Sequence, residues 1–130
     1  MYSSKARVKY FLLVHLIFVV KYRKPLLAVI GQEVKDRVIE IAKTSRFEIE
    51  TMEVDQDHIH LLVKYEPNIS ISHMVNLLKQ GTTYHLWQKH PNRLKLSFWK
   101  ERIFWSPSYF ACSVGQITQE AIRKYIEEQG

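Results

Sequence analysis

Residues 46–65 have the sequence RFEIETMEVDQDHIHLLVKY, and the fold follows from this segment. Its two ends, residues 46–54 and 58–65, carry the apolar and β-branched residues that strands favour. The polar tripeptide 55–57 lies between them and predicts a turn. Two strands joined by so short a turn pair as an antiparallel hairpin. The segment therefore places a β-hairpin in the middle of the chain.

Strands and helices alternate on both sides of this hairpin. Apolar side chains on both faces of one early segment are typical of a central strand. The predicted elements are a strand over 7–20, a helix over 32–44, the hairpin, a helix from Ser70 or Ser72 to about residue 88, a basic and aromatic connection over 90–102, a strand over 103–114 interrupted at Ser106-Pro107, and a helix after Gly115. This order predicts an α+β domain with a ferredoxin-like, RRM-like antiparallel sheet, packed helices and an extra C-terminal helix.

Gly81 lies in the middle of the second predicted helix. Glycine there costs about 1 kcal/mol relative to alanine. We therefore expect another group to approach the backbone closely at this position.

The composition is that of one folded domain, residues 1–130, with an anionic partner. Nineteen Lys and Arg against thirteen Asp and Glu leave a net charge of +6, which favours nucleic acid without excluding other partners. The single Cys112 excludes an internal disulfide and a zinc site built mainly of cysteines. The apolar run over 10–20 is shorter than the roughly 20 residues of a membrane span, so we expect a soluble, cytoplasmic protein without membrane contact.

Two pairs of residues could carry chemistry. His58 and His60 share one face of a strand, and two imidazoles side by side on a rigid strand form half of a metal site. For this pair alone, ordinary half-buried histidines are the stronger interpretation. Tyr125 and Gln129 lie four residues apart on one face of the last helix. Taken alone, they are better explained by core packing and by a frayed helix end.

Four segments spread over nearly the whole chain change this balance. They are HLIFVVKYRKP (15–25), DHIHLLV (57–63), FWSPSYF (104–110) and AIRKYIEEQ (121–129). In this order they resemble the single-tyrosine HUH transposases, the TnpA-type enzymes of the smallest bacterial and archaeal insertion sequences. They are similar to that family's first strand with its basic exit, its HUH strand, its fourth strand and its C-terminal nucleophile helix. The bulky apolar residue of the HUH motif is here Ile59.

The resemblance implies a catalytic role for each candidate. Tyr125 would be the nucleophile and would form a 5′-phosphotyrosine link while the cut strand keeps a free 3′-OH. His58, His60 and Gln129 would bind one divalent ion. Mixed nitrogen and oxygen ligation with open positions suits Mn²⁺ or Mg²⁺ better than Zn²⁺. The sequence contains no obvious general base.

The resemblance also implies a substrate and an assembly. The enzyme would cut and rejoin single-stranded DNA at element ends marked by subterminal hairpins, and would associate with the nucleoid when bound. It would work as a homodimer with shared active sites, for which Gly115 is a plausible hinge. Basic and aromatic side chains suited to phosphates and unstacked bases are Arg23, Lys24, Lys79, Arg93, Lys95, Trp99, Lys100 and Arg102.

Several alternatives stay open at this point. A domesticated relative could cut or bind hairpins without moving its own element, and the sequence does not separate it from an active transposase. A non-catalytic nucleic-acid-binding module would present exposed aromatics on the central strands, where this chain has His58 and His60. His15 shares a strand face with Leu13 and Ile17, so we interpret it as a core histidine. Three further points stay open: the target sequence, the metal bound in vivo, and whether each active site is built from one chain or from two.

Overall fold

The computed structural model describes residues 3–5, 8–113 and 118–129. A short hairpin comes first, in which β1 (Ser3–Lys5) and β2 (Val8–Tyr10) pair antiparallel. The strand of the main sheet, β3 (Leu12–Val19), begins only after this hairpin. The prediction of one strand over 7–20 is therefore wrong in its first part. Leu12 already pairs with Tyr65, the last residue of its neighbour, and Val8–Tyr10 pair with β1 instead.

The remaining strands and α-helices follow the predicted order, with one added α-helix, and a short 3₁₀ turn covers Lys21–Arg23. They are α1 (Leu27–Lys43), β4 (Phe47–Val54), β5 (His58–Tyr65), α2 (Ile71–Lys89), α3 (Pro91–Ser97), β6 (Phe110–Ser113) and α4 (Gln119–Glu128). The added element is α3, which lies within the predicted connection and carries Pro91 in its first turn, where a missing N–H has no cost. Ser70 caps α2, because its hydroxyl accepts from the backbone N–H of His73 at 3.1 Å.

Two predicted boundaries are wrong. α1 begins at Leu27 rather than at residue 32, because Leu27 and Ile30 already pack into the core at helical spacing. Gly31 thus lies inside the helix, where a Cβ would come within 3.0 Å of Val54 Cγ1. The last strand begins only at Phe110 and covers Phe110–Ser113 of the described residues, and before it only Trp105 forms a bridge, to Val20. The interruption predicted at Ser106-Pro107 is confirmed, since proline cannot donate to a ladder.

The main sheet has the strand order β4-β5-β3-β6, and all its neighbours are antiparallel. β3 lies in the centre and is buried on both faces, as predicted. The α+β, ferredoxin-like architecture is confirmed by this order. None of the described helices is both long enough and apolar enough to cross a membrane.

Two hydrophobic cores lie on opposite faces of the sheet. The large core packs α1 and α2 against one face and includes Leu16, Phe18 and Leu61. Here a Cβ on Gly81 would lie 2.5 Å from Ile41 Cδ1 of α1, so the predicted close approach to α2 is confirmed. The small core on the other face joins residues of β3 and α4 and consists of Ile17, Val19 and Ile126. α4 is therefore the helix that covers this second face.

Candidate functional site

His58 and His60 lie on the face of the sheet that α4 covers. They pair with Val19 and Ile17, both members of the small core. Each histidine is half-buried, while Ile59 between them is fully buried in the large core. The predicted common orientation of the two histidines is therefore confirmed by the strand register.

Asp57 fixes the ring of His58. Its Oδ1 accepts from His58 Nδ1 at 2.9 Å, and its Oδ2 accepts from Arg23 Nε at 3.1 Å. Partial burial alone would raise the pKa of Asp57, because it disfavours the charged carboxylate. The hydrogen bonds from His58 and Arg23 outweigh this effect of burial, so the pKa of Asp57 is lowered. In the tautomer that donates to Asp57, His58 carries its proton on Nδ1 and keeps the Nε2 lone pair outside these bonds.

The turn that delivers Arg23 has an unusual backbone. Tyr22 and Arg23 have φ values of 62° and 53°, in the left-handed region that side chains rarely adopt. Backbone bonds hold this turn in place, from Val20 N to Asp57 O and from Lys21 N to Phe104 O. The strain therefore lies where it orients a side chain of the site.

His60 contacts a third histidine. His60 Nε2 and His15 Nδ1 lie 2.9 Å apart in hydrogen-bond contact, which requires one of the two nitrogens to be unprotonated. Burial lowers the pKa of His60, and nearby His15 adds to this effect. His15 is thus a satisfied, half-buried histidine, but its partner belongs to the candidate site. The sequence placed it on a strand face without giving the register of β3 and β5 that brings it next to His60.

A cleft of about 200 Å³ opens beside the two histidines. Its lining residues come from the end of β4, from β5 and from the first turn of α4: Glu53, Val54, Asp55, His58, His60, Gln119 and Ile122. The part of α4 that reaches the histidines is therefore its N-terminal turn.

Tyr125 and Gln129 meet at Ser108, near the start of β6. Ser108 Oγ donates to Gln129 Oε1 at 3.0 Å and lies 2.9 Å from Tyr125 Oη. Its only hydrogen is used on Gln129, so the phenol donates to Ser108. The Tyr125 ring packs on Phe110 with centroids 5.7 Å apart. Burial raises the pKa of Tyr125, and the Ser108 bond opposes this effect only in part.

The structure thus brings the predicted residues together as two pairs on one sheet face. Tyr125 lies six residues beyond Gln119, about 9 Å further along the helix axis. Within the described ranges, no group of three or more His, Cys, Asp or Glu side chains could hold a metal ion. The donor chemistry of His58 and His60, with Asp57 behind, fits two of the three ligands. The third, Gln129, bonds elsewhere.

The predicted DNA contacts fall into two groups. The exposed members are Arg23, Lys24, Arg93, Lys95, Trp99, Lys100 and Arg102. Lys79 differs, because its half-buried ammonium donates to the carbonyls of Ser106 and Ser108, both at 2.7 Å. Burial lowers the pKa of Lys79 to about 8. Its bonds tie residues 106–108 to α2.

A second cavity, of about 480 Å³, lies between α2 and residues 102–107. Tyr84 lines it with 67% of its side chain exposed. Arg102 lies over the Trp87 ring, 5.5 Å from its centroid. The sequence-based list of DNA contacts did not include Tyr84, although its helical position, two residues past buried Thr82, places it off the apolar stripe of α2.

Sequence comparisons identify relatives of one kind. The model of a family described as "Transposase IS200 like" matches residues 8–129. The ISDra2 transposase TnpA of Deinococcus radiodurans is 37% identical over 116 residues, which are 88% of this chain and 81% of that protein. The transposase for insertion sequence element IS200 of Salmonella typhimurium is 29% identical over 118 residues, 88% of this chain and 74% of that protein.

Solved structures agree with the sequence relatives. A crystal structure of a Deinococcus radiodurans R1 protein named as a transposase has a TM-score of 0.88 at 32% identity and covers 99% of this chain and 98% of that one. A REP-associated tyrosine transposase bound to a REP hairpin has a TM-score of 0.59 at 16% identity, with 96% of this chain and 69% of that chain covered. The latter similarity is one of fold.

Proposed function

Because this chain belongs to the IS200-like transposase family, we propose that it cuts and rejoins single-stranded DNA at element ends through a covalent link between Tyr125 and a 5′-phosphate. The observation that carries the proposal is the sheet face shared by the histidine pair and the tyrosine helix. Ile17 opposes His60 in the sheet and also packs against Ile126 of α4. The nucleophile helix therefore covers the face that carries the histidines.

Tyr125 is the proposed nucleophile. Its Oη forms a bond to phosphorus while the bond to the DNA 3′ oxygen breaks, and that oxygen leaves as a 3′-OH. A phenolate is a better leaving group than an alkoxide, so the 3′-OH can later reverse the step without ATP. Burial raises the pKa of Tyr125, so the residue is a neutral phenol at pH 7 before it reacts.

His58, His60 and Gln129 are the proposed ligands of a Mn²⁺ or Mg²⁺ ion. Such an ion, when bound, polarises the scissile phosphate and stabilises its developing charge. Asp57 orients His58 by accepting its Nδ1 hydrogen, an arrangement common behind metal-binding histidines. Gln129 bonds Ser108 in this structure. Gln129 also lies ten residues beyond Gln119, the α4 residue that lines the histidine cleft, so a complete ligand set requires Gln129 in another position or from another chain.

The proposed substrate is a folded single strand with a hairpin near the element end. The net charge of +6 supports an anionic partner. Exposed aromatics beside cations, such as Trp99 with Lys100 at 5.0 Å, suit stacked bases between phosphates. In the 480 Å³ cavity, Tyr84 adds a further exposed aromatic ring and Arg102 a further cation. The REP-associated neighbour bound to a hairpin supports the same substrate class.

The proposed working form is a homodimer with shared sites. β6 is an edge strand of the main sheet, and its outer edge pairs with no strand among the described residues. Such an edge can pair with a second copy. Tyr125 packs on Phe110 at this edge, whereas the cleft of its own chain is lined by Ile122 and Gln119, about 4.5 and 9 Å back along α4. A second sheet joined at β6 would bring another His58–His60 pair into the same continuous sheet. Gly115, the predicted hinge, lies outside the described residues.

Formation of a covalent protein–DNA adduct tests the chemistry. The purified chain is incubated with labelled single-stranded element ends and Mn²⁺ or Mg²⁺, and adducts are resolved on a denaturing gel. Tyr125→Phe should abolish the adduct and leave hairpin affinity unchanged, whereas the matched control Tyr84→Phe should still form it. His60→Ala should remove the metal-dependent cleavage. An adduct in Tyr125→Phe would show that another residue is the nucleophile.

Mixing two inactive variants tests the shared site. His58→Ala and Tyr125→Phe, tagged to differ in size, are allowed to exchange subunits. If each site takes its histidines and its tyrosine from different chains, the heterodimer has one intact site, and the DNA becomes attached to the His58→Ala subunit. No attachment in a mixture with demonstrated exchange would mean that each site is built within one chain.

Comparison of hairpin and duplex tests the substrate. Affinity should be higher for the folded single strand than for a blunt duplex of the same sequence, and should fall steeply with salt as phosphate contacts release counterions. Equal affinity for the duplex would instead support the non-catalytic module.

A further inference from the structure

The segment Ser106–Ser108 joins the two helices on opposite faces of the sheet. On one side, Lys79 of α2 donates to the carbonyls of Ser106 and Ser108, both at 2.7 Å. Ser106 is buried, and its N–H donates to Val19 O at 2.7 Å. Pro107 restricts the backbone between the two carbonyls. The backbone position of Ser108 is therefore fixed by α2 and by the central strand β3.

The side chain of Ser108 points the other way, toward α4. Its hydroxyl accepts from the phenol of Tyr125 at 2.9 Å and donates to the amide oxygen of Gln129 at 3.0 Å. Among the residues that the structure describes, no other side chain bonds Tyr125 Oη or Gln129 Oε1. One hydroxyl thus places two functional oxygens of the proposed chemistry.

We propose that Ser108 is a positioning residue for the transesterification, holding the nucleophilic oxygen of Tyr125 and the ligand oxygen of Gln129 at one fixed point of the fold. This inference rests on the proposed function. Ser108 itself forms no bond to DNA and exchanges no group with it. Lys79 acts through Ser108, because its two bonds set the backbone from which the hydroxyl projects.

The chemistry of the three groups allows the contact to persist during reaction. An amide oxygen has two lone pairs, so Gln129 can accept from Ser108 with one and bind a cation with the other. The phenol oxygen has its own lone pairs free for phosphorus while its hydrogen points to Ser108. Without this bond, the ring of Tyr125 keeps its packing on Phe110, but its oxygen loses its only described partner. Misplacement of a reacting atom by about 1 Å can cost roughly 100-fold in rate.

The test separates chemistry from binding and from folding. Ser108→Ala, Ser108→Thr and the control Ser113→Ala, an exposed serine of β6, are compared with the wild type. Measurements are the single-turnover adduct rate at saturating hairpin DNA, the hairpin Kd, the melting temperature and amide exchange of residues 125–129 without DNA or metal.

We expect Ser108→Ala to lower the rate by about 10- to 100-fold with an unchanged Kd. Its melting temperature should stay within about 2 °C, because Ser108 is exposed. Amide exchange should become faster at residues 125–129 and remain unchanged in β5. Ser108→Thr, which keeps the hydroxyl, should restore the rate to near the wild-type value, and Ser113→Ala should match the wild type.

Each other result overturns a defined part of the argument. A wild-type rate in Ser108→Ala, or a parallel loss in Kd and melting temperature, refutes the positioning role. A faster rate would mean that Ser108 holds Tyr125 away from its target. An absent adduct in the wild type would instead contradict the proposed function. In that case the exchange of residues 125–129, measured on the free chain, still decides whether Ser108 orders the end of α4.

Discussion

Replacing Ile126 with alanine should release α4 from the sheet while the rest of the domain stays folded. Ile126 is the only buried residue of this ten-residue helix, and it packs on Ile17 and Val19, which are both fully buried. Its truncation removes three carbons, worth about 2.4 kcal/mol at roughly 0.8 kcal/mol each, and about 2–4 kcal/mol with the cavity left behind. A helix shorter than about 12 residues is marginal in water by itself. The change therefore removes the only fully buried contact of α4 and leaves the partly buried Ile122 and Tyr125 to hold the helix.

Amide hydrogen exchange measures this release residue by residue. In Ile126→Ala, amides of α4 should exchange within about tenfold of unfolded-chain rates, whereas amides of β3 and β5 should stay protected, because the large core is intact. Adduct formation should fall together with α4 protection. Leu61→Ala is the matched contrast, since Leu61 is fully buried in the large core. It should weaken protection in β5 and leave the local opening of α4 unchanged.

Two outcomes would refute this reasoning. Loss of protection in α4, β3 and β5 together would show that the helix belongs to the same cooperative unit as the large core. Full protection of α4 in Ile126→Ala would show that the small core does not hold it. Val29→Ala, on an exposed side chain of α1, controls for the substitution itself and should change neither region.

Three further predictions concern the scaffold and the metal site. Gly81→Ala should lower the free energy of unfolding by about 1 kcal/mol, because the new Cβ would lie 2.5 Å from Ile41 Cδ1. In an Ile41→Val background, the same substitution should raise the free energy of unfolding by up to about 1 kcal/mol. Equal effects in urea melts of both backgrounds would contradict this prediction. The pKa of Lys79 is lowered from 10.5 to about 8, so the unfolded chain binds more protons between these values and the free energy of unfolding should rise with pH across that window. Lys79→Met should remove this rise in pH-dependent melts, and an unchanged pH profile would speak against it. Asp57→Asn should raise the Mn²⁺ concentration for half-maximal adduct formation by about 10- to 100-fold by loosening the orientation of His58, and an unchanged titration would exclude that role.

The architecture was predictable because its signals are local. Side chains alternate between the two faces along β5, so His58 and His60 share one face independently of the rest of the fold. β3, apolar on both faces, can only be a central strand. The short polar side chain of Ser70, which caps the helix, indicates where α2 begins. These features depend on residues within a few positions of one another.

The contacts missed by sequence reasoning are all long-range. His15 and His60 are 45 positions apart and meet only because β3 and β5 are neighbours in register. Lys79 resembles any surface lysine in the sequence, and its bonds to Ser106 and Ser108 require the crossing of α2 over that segment. A long-range contact also explains why sequence reasoning did not predict α3. Its seven residues form a helix around Leu94, which is buried in the large core.

The position of α4 along the sheet has a consequence for how the active site is completed. Gln119 and Ile122 of α4 line the cleft of its own chain, so Tyr125 takes their place only if α4 advances by about 4.5 to 9 Å along its axis. That movement breaks the packing of Ile126 on Ile17 and both bonds of Ser108. In a shared site where α4 keeps its present position, these contacts remain and the histidines of the second copy approach Tyr125. The two routes therefore predict opposite effects of Ser108→Ala on the rate of adduct formation. If each site forms within one chain, loosening α4 from its present position should raise the rate. If the sites are shared, the same substitution should lower it. Because Ser108 holds both Tyr125 and Gln129 in geometry that only the shared route preserves, we expect slower formation.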